Sequence, residues 1–155
     1  MPIYTKTGDK GQTSDYNGNK YMKCEILYEV IGLIDELNSY IGVCEEWETE
    51  NERTSKQYIQ NLLFDLGAYF AINGNYNFNE ETDALESEID ILENKLPKLT
   101  NFILPDNKYH VIRSKCRSAE RIIIKYFIEI NETNIKSTIL NCETNICKYI
   151  NRLSD

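Results

Sequence analysis

Apolar side chains recur at spacings of three and four residues over five stretches of the chain, which is the pattern of amphipathic helices. The first stretch predicts a helix over about residues 22–46, and the second predicts one over about 53–72. The third predicts a helix over about 82–96, which ends there because Pro97 cannot donate the next backbone hydrogen bond. Asn73-Gly74-Asn75 is a typical helix stop after the second stretch.

The last two stretches run from Ile112 to Ile130 and from Ile135 to Leu153, with a short turn at Asn131-Glu132-Thr133 between them. No segment alternates strictly enough between apolar and polar residues to require a sheet. Five amphipathic helices with short connections predict an all-α fold, an antiparallel five-helix bundle. The chain of 155 residues fits a single domain.

Residues 1–21 have no apolar periodicity and are rich in Gly, Lys, Thr, Asn and Asp, so we expect a non-helical loop there. Within it, Thr5–Ser14 carries two glycines, two lysines and several hydroxyls, which are the groups that cradle phosphate or contact the waters of a magnesium ion. The segment matches neither a Walker A loop nor a dinucleotide fingerprint. A solvated arm without a ligand is the alternative interpretation.

Composition excludes several classes of protein. No apolar run approaches the roughly 18 residues that a membrane span needs. The net charge of −8 disfavours nucleic-acid binding. His110 is the only histidine, which excludes a serine or cysteine triad and a multi-histidine metal site within one chain.

Five cysteines form no Cys-x-x-Cys pair, so we interpret them as small buried residues rather than metal ligands or redox thiols. They are Cys24, Cys44, Cys116, Cys142 and Cys147. The first residues of the chain resemble neither a secretion signal nor an import signal, and we therefore expect a cytoplasmic protein.

Two helices carry charged residues that require an explanation. On the fourth helix Arg113, Arg117, Glu120 and Arg121 share one face, which indicates either a binding surface or a solvated stripe of local Arg–Glu pairs. On the first helix, Asp35 lies within the apolar pattern, where an unpaired carboxylate is costly to bury, so we expect an arginine partner that is buried or at an interface.

Two further residues lie at positions with alternative roles. Asn38 is close to the apolar stripe of the first helix and could set helix register rather than do chemistry. Phe102 begins the apolar segment Phe102-Ile103-Leu104-Pro105, which is either a plug in the core or an aromatic edge of a ligand pocket.

In order along the chain, five motifs resemble those of the PduO-type ATP:cob(I)alamin adenosyltransferases. They are Tyr-Thr-Lys-Thr-Gly-Asp-Lys-Gly at 4–11, Asp-Glu-Leu-Asn-Ser at 35–39, Phe-Ile-Leu-Pro at 102–105, Cys-Arg-Ser-Ala-Glu-Arg at 116–121 and Asn-Arg-Leu-Ser-Asp at 151–155. The resemblance implies a homotrimer of ferritin-like five-helix bundles with active sites between subunits. It also implies that the 5′-deoxyadenosyl group of ATP is transferred to the Co(I) of a reduced corrinoid such as cobalamin, with triphosphate as the leaving group.

The resemblance divides the chain into a phosphate-binding loop, 1–21, and a helical bundle, 22–155, within one domain, 1–155. It implies that residues from both parts bind ATP. These are Thr5, Lys6, Thr7, Gly8, Asp9, Lys10, Gly11, Thr13, Ser14, Lys23, Arg117, Glu120 and Asn151. Magnesium would be carried on the ATP phosphates, and the protein ligand of that ion is left open.

The catalytic set that the resemblance implies is Asp35, Phe102, Arg113 and Arg117. Arg113 would pair with Asp35 across the subunit interface, which provides the partner that the buried carboxylate needs. Phe102 would press on the lower face of the corrinoid and exclude its axial ligand. A reductase and an adenosylcobalamin-dependent enzyme are the further partners that this function implies.

The chain departs from the family pattern in three places. Ser118 replaces an arginine, which predicts weaker ATP binding; Asp106-Asn107 replaces a Gly-Gly pair in a shortened segment; and Asp15 replaces a leucine. These departures motivate the alternative of a non-catalytic relative that binds ATP or a corrinoid.

Overall fold

The computed structural model describes residues 4–72, 74, 76–130 and 141–155, with side chains in the last helix described from residue 145. A two-stranded hairpin precedes five helices, and a 3-10 turn, Glu52–Thr54, precedes the second helix. The elements are β1 (Gln12–Ser14), β2 (Lys20–Met22), α1 (Ile26–Gly42), α2 (Lys56–Ile72), α3 (Asn79–Glu93), α4 (Lys108–Ile130) and α5 (Asn141–Leu153). The predicted five-helix architecture is confirmed.

Helix ends differ from the periodic pattern wherever a local cap or strand decides them. α1 begins later than predicted because residues 20–22 form a strand. α4 begins before Ile112 because the Asn107 side chain caps it, with Oδ1 accepting hydrogen bonds from the backbone N–H groups of Tyr109 (3.0 Å) and His110 (3.4 Å). α3 lies a little earlier than predicted, with its acidic first turn at the positive end of the helix dipole.

The predicted turn 131–133, the first part of the predicted fifth helix and the predicted stop residues 73 and 75 lie outside the described residues. No helix within the described ranges is long and apolar enough to cross a membrane.

The apolar stripes that predicted the helices form one core. α4 packs between α1 and α5, α2 lies on the other side of α1, and α3 packs on α5. The buried apolar residues of these helices are Val30, Ile34, Leu37, Ile41, Ile59, Leu62, Leu63, Leu66, Phe70, Ala84, Leu85, Cys116, Ala119, Ile123, Phe127, Ile146, Tyr149 and Ile150. Burial of these side chains supplies the main driving force for folding.

Ion pairs define the relative direction of α1 and α4. Glu36 accepts from Lys115 at 2.7 Å, and Glu45, beyond the end of α1, lies 3.1 Å from Lys108 at the start of α4. Glu45 comes later in the chain than Glu36, whereas its partner Lys108 comes earlier than Lys115. These two helices are therefore antiparallel, as the sequence predicted.

α3 and α5 are neighbours that run in the same direction. Phe78, just before α3, stacks on Tyr149 with ring centroids 5.3 Å apart, and Glu86 further along α3 contacts Arg152 further along α5 at 2.8 Å. A chain that reverses at each connection gives its third and fifth helices the same direction. The bundle is therefore antiparallel between consecutive helices but contains one parallel neighbour pair.

A buried carboxylate joins the start of α3 to α2. Glu81 is 5% exposed, and its Oε1 accepts hydrogen bonds from the hydroxyls of Tyr58 and Tyr76, both at 3.1 Å. Burial and the neighbouring Glu81 carboxylate raise the pKa of Tyr76 to about 12. Both hydroxyls therefore stay protonated and keep donating throughout the neutral range.

The cysteines are only partly the buried residues that we expected. Cys44 and Cys116 are buried and Cys147 is half-buried, but Cys24 is exposed, so the prediction is wrong for that residue. The thiols of Cys24, Cys44 and Cys116 are free, and burial raises the pKa of Cys116 to about 12. The side chain of Cys142 is outside the described residues.

The hairpin corrects the prediction that residues 1–21 form only a loop. Thr13 pairs with Tyr21 between Gln12–Met22 and Ser14–Lys20, so β1 and β2 are antiparallel. Gly18 adopts φ +85°, which favours glycine, at the turn between the strands. Each strand has only three residues, which is too short for alternation to be recognisable in the sequence.

Asp15 holds this turn closed. Its two carboxylate oxygens accept hydrogen bonds from the backbone N–H and the side-chain amide of Asn19, both at 2.8 Å, and from the Tyr21 hydroxyl at 3.3 Å. The Asn19 side-chain hydrogen bond is the main cause that lowers the pKa of Asp15. Tyr21 in turn contacts Tyr28 of α1, with ring centroids 5.8 Å apart, so the turn is connected to the bundle.

We predict that Asp15→Ala opens the hairpin while α1 to α5 stay folded. Backbone amide exchange of Asn19, measured by NMR at neutral pH, should accelerate about tenfold or more, since the hydrogen bonds to an ionised acceptor are lost. Because the folded pKa of Asp15 is lowered, its contribution is present above the unfolded value near 3.8 and disappears as the pH falls through the folded value. Tyr16→Ala, which removes an 87% exposed ring from the same turn, is the control. Equal exchange in both variants would contradict the role of Asp15.

Candidate active site

The N-terminal loop forms successive tight turns. The Asp9 N–H donates to the Lys6 carbonyl at 3.4 Å, and the Gly11 N–H donates to the Gly8 carbonyl at 3.2 Å. Lys6 has φ +60° and Gly11 has φ +79°, so two residues of the loop adopt left-handed backbone conformations. Alternation of right-handed and left-handed residues is how backbone N–H groups converge on an anion.

Lys23 lies beside this loop, as the resemblance implied. Its backbone N–H donates to the Gly11 carbonyl at 2.9 Å, and a Cβ added to Gly8 would lie 2.9 Å from its Nζ. Glycine at position 8 therefore leaves room for the ammonium group directly over the turn.

Positive charge in the loop is not neutralised locally. Within the described residues, no ion pair involves Lys6, Lys10 or Lys23. Thr5 and Thr7 join their hydroxyls at 2.8 Å, and other oxygens of the predicted set lie on Asp9, Thr13 and Ser14. Unpaired ammonium groups beside exposed hydroxyls form a surface that suits a polyphosphate.

A second group of candidate residues lies where α4 meets α5. The Asn151 side-chain amide donates to Glu120 Oε1 at 2.9 Å, so the structure brings together two of the predicted nucleotide ligands. Arg113 and Arg117 are exposed on the same helix as Glu120, and neither forms an ion pair with a described residue. Local Arg–Glu pairing, the alternative explanation of this stripe, is therefore not what the structure shows for these two arginines.

Ser118 forms local contacts at the position of the missing arginine. Its hydroxyl donates to the Ser114 carbonyl at 3.0 Å and accepts from the Arg121 guanidinium at 3.1 Å. Arg121 thus has a partner on its own helix, whereas Arg117 is free to reach a ligand.

A third group lines a groove between α1 and α2, with a volume of about 440 Å³. Its walls are mostly apolar and include Ile31 and Phe64, whose ring is 75% exposed. Asp35 lies exposed in its lining, and no described cation contacts that carboxylate, so the expected arginine partner stays a prediction. We call this the α1–α2 groove.

Two polar atoms of the α1–α2 groove are buried without a hydrogen-bond partner in the described part of the chain. They are the Tyr28 hydroxyl and Asn38 Oδ1. An apolar groove with a few unsatisfied polar atoms is typical of small-molecule sites.

Asn38 also performs the register role that the sequence suggested. Its Nδ2 donates to the Gln60 carbonyl at 3.1 Å, and Gln60 Nε2 donates back to the Asn38 carbonyl at 3.3 Å. This reciprocal pair fixes α1 against α2 at the end of the groove.

Phe102 is fully exposed, and Ile103 and Leu104 are exposed beside it. The alternative that this segment plugs the core is therefore wrong. Residues 99–103 line a hollow together with His110 and Arg113, with a volume of about 670 Å³. We call it the Phe102 hollow.

The structure thus separates the candidates into groups on different faces. The loop is anchored beside the α1–α2 groove, because Tyr21 of the hairpin packs on Tyr28, which lines that groove. Glu120, Asn151 and Arg117 lie on α4 and α5. Within the described ranges, no hydrogen bond or ion pair joins the loop 4–14 to these three residues.

The sequence pattern does not single out two residues that lie at these candidate sites. Tyr28 fits the apolar spacing of α1, so its hydroxyl leaves no signal in the pattern. Arg152 belongs to the last motif, and a basic residue beside Asn151 in the last helical turn is the signal that could have identified it.

Comparisons with known proteins agree with this geometry. Residues 3–155 match the family model described as cobalamin adenosyltransferase. The chain is 34% identical to the corrinoid adenosyltransferase PduO of Salmonella typhimurium over 168 residues, 100% of this chain and 47% of that protein. It is 34% identical to the human corrinoid adenosyltransferase MMAB, over 99% of this chain and 64% of that protein. The chain thus spans about half to two thirds of these two relatives.

A shorter relative and a solved structure match more completely. The corrinoid adenosyltransferase of Bacillus subtilis is 36% identical over 100% of this chain and 82% of its own length. A variant of the PduO-type ATP:corrinoid adenosyltransferase of Lactobacillus reuteri, complexed with cobalamin and ATP, superposes with a TM-score of 0.76 at 30% identity, covering 99% of this chain and 85% of that one. The chain belongs to the cobalamin adenosyltransferase family.

Proposed function

We propose that this chain transfers the 5′-deoxyadenosyl group of ATP to the Co(I) of a reduced corrinoid and releases triphosphate. The observation that carries the proposal is the combination of an unneutralised lysine loop and an apolar groove beside it. A related structure of the same fold is complexed with cobalamin and ATP. Residues 1–155 would act as one domain.

The nucleotide would be held from two sides. The predicted loop residues, with Lys23, would bind the triphosphate, and Arg117, Glu120 and Asn151 would hold the remainder. Magnesium would arrive on the ATP phosphates, because such ions keep most of their waters and need only one or two protein oxygens. The described residues contain no group of three or more His, Cys, Asp or Glu side chains that could hold a metal ion.

The corrinoid would occupy the space bordered by the α1–α2 groove and the Phe102 hollow of a neighbouring copy. Apolar walls suit its macrocycle, and an exposed Phe102 ring could press on its lower face and exclude an axial ligand. The reaction needs Co(I) aligned with the 5′-carbon of ATP. The protein contributes positioning and stabilises the charge of the departing triphosphate through lysine and arginine cations. No general base is required.

We propose that the active site lies between subunits of a homotrimer, and the positions of Asp35 and Arg113 support this arrangement. Glu36 and Lys115 pair at the α1/α4 contact. On a helix one residue corresponds to about 100°, so Asp35 is turned by about 100° from Glu36, and Arg113 by about 200° from Lys115. Asp35 and Arg113 also line different cavities. We therefore propose that they pair between neighbouring copies.

We further propose a cytoplasmic location, which the free thiols of Cys24, Cys44 and Cys116 support. As partners we propose a reductase that reduces the corrinoid to Co(I) and an enzyme that uses adenosylcobalamin. A non-catalytic ATP-binding relative is the alternative, favoured only by Ser118 and the altered 102–113 segment.

The central test is turnover with ATP, magnesium and chemically reduced cobalamin, followed by the absorbance of adenosylcobalamin. We expect the wild-type chain to form product. In Arg117→Ala the dissociation constant for ATP should rise about tenfold to a hundredfold, since a charge-assisted contact is lost. Lys125→Ala removes one positive charge from α4 at a site that forms an exposed ion pair with Glu129, and it should bind ATP normally. ATP binding without product would favour the non-catalytic alternative, and equal binding by both variants would refute the role of Arg117.

A second prediction concerns assembly. Asp35→Arg alone should weaken the trimer and activity, and adding Arg113→Asp should restore both in part, because reversing both charges recreates the pair. Analytical ultracentrifugation and the turnover assay provide the readouts. Asp83→Arg, at an exposed position of α3, is the control. A double variant no better than Asp35→Arg would show that these residues do not pair.

A further inference from the structure

A row of side chains runs from α3 to α4 through the last turn of α5. Glu86 Oε1 accepts from Arg152 Nε at 2.8 Å, and the Arg152 NH1 group donates to Asn151 Oδ1 at 2.8 Å. The Asn151 Nδ2 group then donates to Glu120 Oε1 at 2.9 Å. α3, which holds none of the predicted site residues, is thereby connected to the α4/α5 candidates.

The chemistry of these groups allows only one orientation of the Asn151 amide. A guanidinium can only donate hydrogen bonds, and a carboxylate can only accept them. The amide oxygen must therefore face Arg152, and the amide nitrogen must face Glu120. A rotation of the amide by half a turn would place donor against donor and acceptor against acceptor.

The oriented amide keeps capacity for a ligand. One N–H of its Nδ2 and one lone pair of its Oδ1 are not used by these two contacts. Without Arg152, the amide loses one of the two contacts that exclude the flipped state, and only Glu120 still opposes it. Glu86 restrains the guanidinium from the other side through a separate nitrogen, Nε.

We propose that Glu86 and Arg152 are positioning residues that fix the amide polarity of Asn151 toward ATP. This inference rests on the proposed function, since it takes Asn151 to be a nucleotide ligand. The Glu86–Arg152 ion pair adds little to the free energy of unfolding, because the side chains of Arg152 and Glu86 are 39% and 48% exposed and solvent screens such pairs. The nitrogen of Arg152 that donates to the amide, Nη1, also lies 3.8 Å from Asp155 Oδ2, which is too far for a hydrogen bond, while Nε donates to Glu86.

The test compares Glu86→Ala, Glu86→Gln and Arg152→Leu by steady-state kinetics. Loss of one charge-assisted restraint should raise KM for ATP about threefold in Glu86→Ala and about tenfold in Arg152→Leu, with kcat within about twofold. Glu86→Gln retains an acceptor for Nε and should lie near the wild type. Glu80→Ala is the control. Glu80 also lies on α3, and its carboxylate forms an exposed ion pair with the Arg53 guanidinium at 2.7 Å.

The decisive comparison uses the Asn151→Ala background. If Glu86 acts through Asn151, Glu86→Ala should change KM no further there, and a further threefold rise would overturn the inference in favour of a general structural effect. An unchanged KM in both Glu86→Ala and Arg152→Leu would also overturn it.

Calorimetric ATP binding by the same variants separates this inference from the proposed function. A wild-type chain that binds ATP without turnover would refute the activity, while the dissociation constants still test the positioning. A wild-type chain that binds no ATP would refute both.

Discussion

Packing of α4 between α1 and α5 is the constraint on which the rest of the structure depends. The stripe of Cys116, Ala119, Ile123 and Phe127 must be buried on both neighbours, and this fixes the rotation of α4 about its axis. Once that rotation is fixed, Arg113 and Arg117 have to face outward, and Glu120 reaches the edge of α5 where Asn151 lies. The charged face of the candidate site is thus a consequence of how the apolar face is buried.

The same packing divides the site. Because α1 is occupied by α4 on one side and α2 on another, Asp35 is left on the α1–α2 groove, next to the hairpin that carries the lysine loop. Arginines and asparagine lie on the opposite part of the bundle. Each copy of the chain therefore presents two separate groups of candidate ligands, and in the proposed assembly one group of each copy would face the other group of the next copy.

The spacing of apolar residues predicted the helices, because each helix is stabilised by burying one apolar face and that face appears in the sequence as a repeat of three and four residues. It failed where short-range hydrogen bonds decide instead. The Asp15 carboxylate closes a hairpin of three-residue strands, and the Asn107 side chain starts α4 early. Neither effect leaves a repeat in the sequence.

The candidate residues could be named from motifs in order, but their connections could not. Glu120 and Asn151 are 31 residues apart in the chain, and only the folded bundle shows that they share a hydrogen bond. Glu86 lies in no motif, and the motif that contains Arg152 does not show which side chain it contacts. The sequence allowed Phe102 to lie in the core or on the surface, and the structure shows it exposed.

Complementation between two defective chains tests most directly the claim that neighbouring copies complete each other's site. One chain would carry Lys6→Ala and Lys10→Ala in the loop, and the other would carry Arg117→Ala, with a different affinity tag on each. Assemblies purified through both tags contain sites in which an intact loop faces an intact Arg117. We expect adenosylcobalamin formation clearly above that of either defective chain alone, whereas activity equal to their average would contradict an active site shared between neighbouring copies.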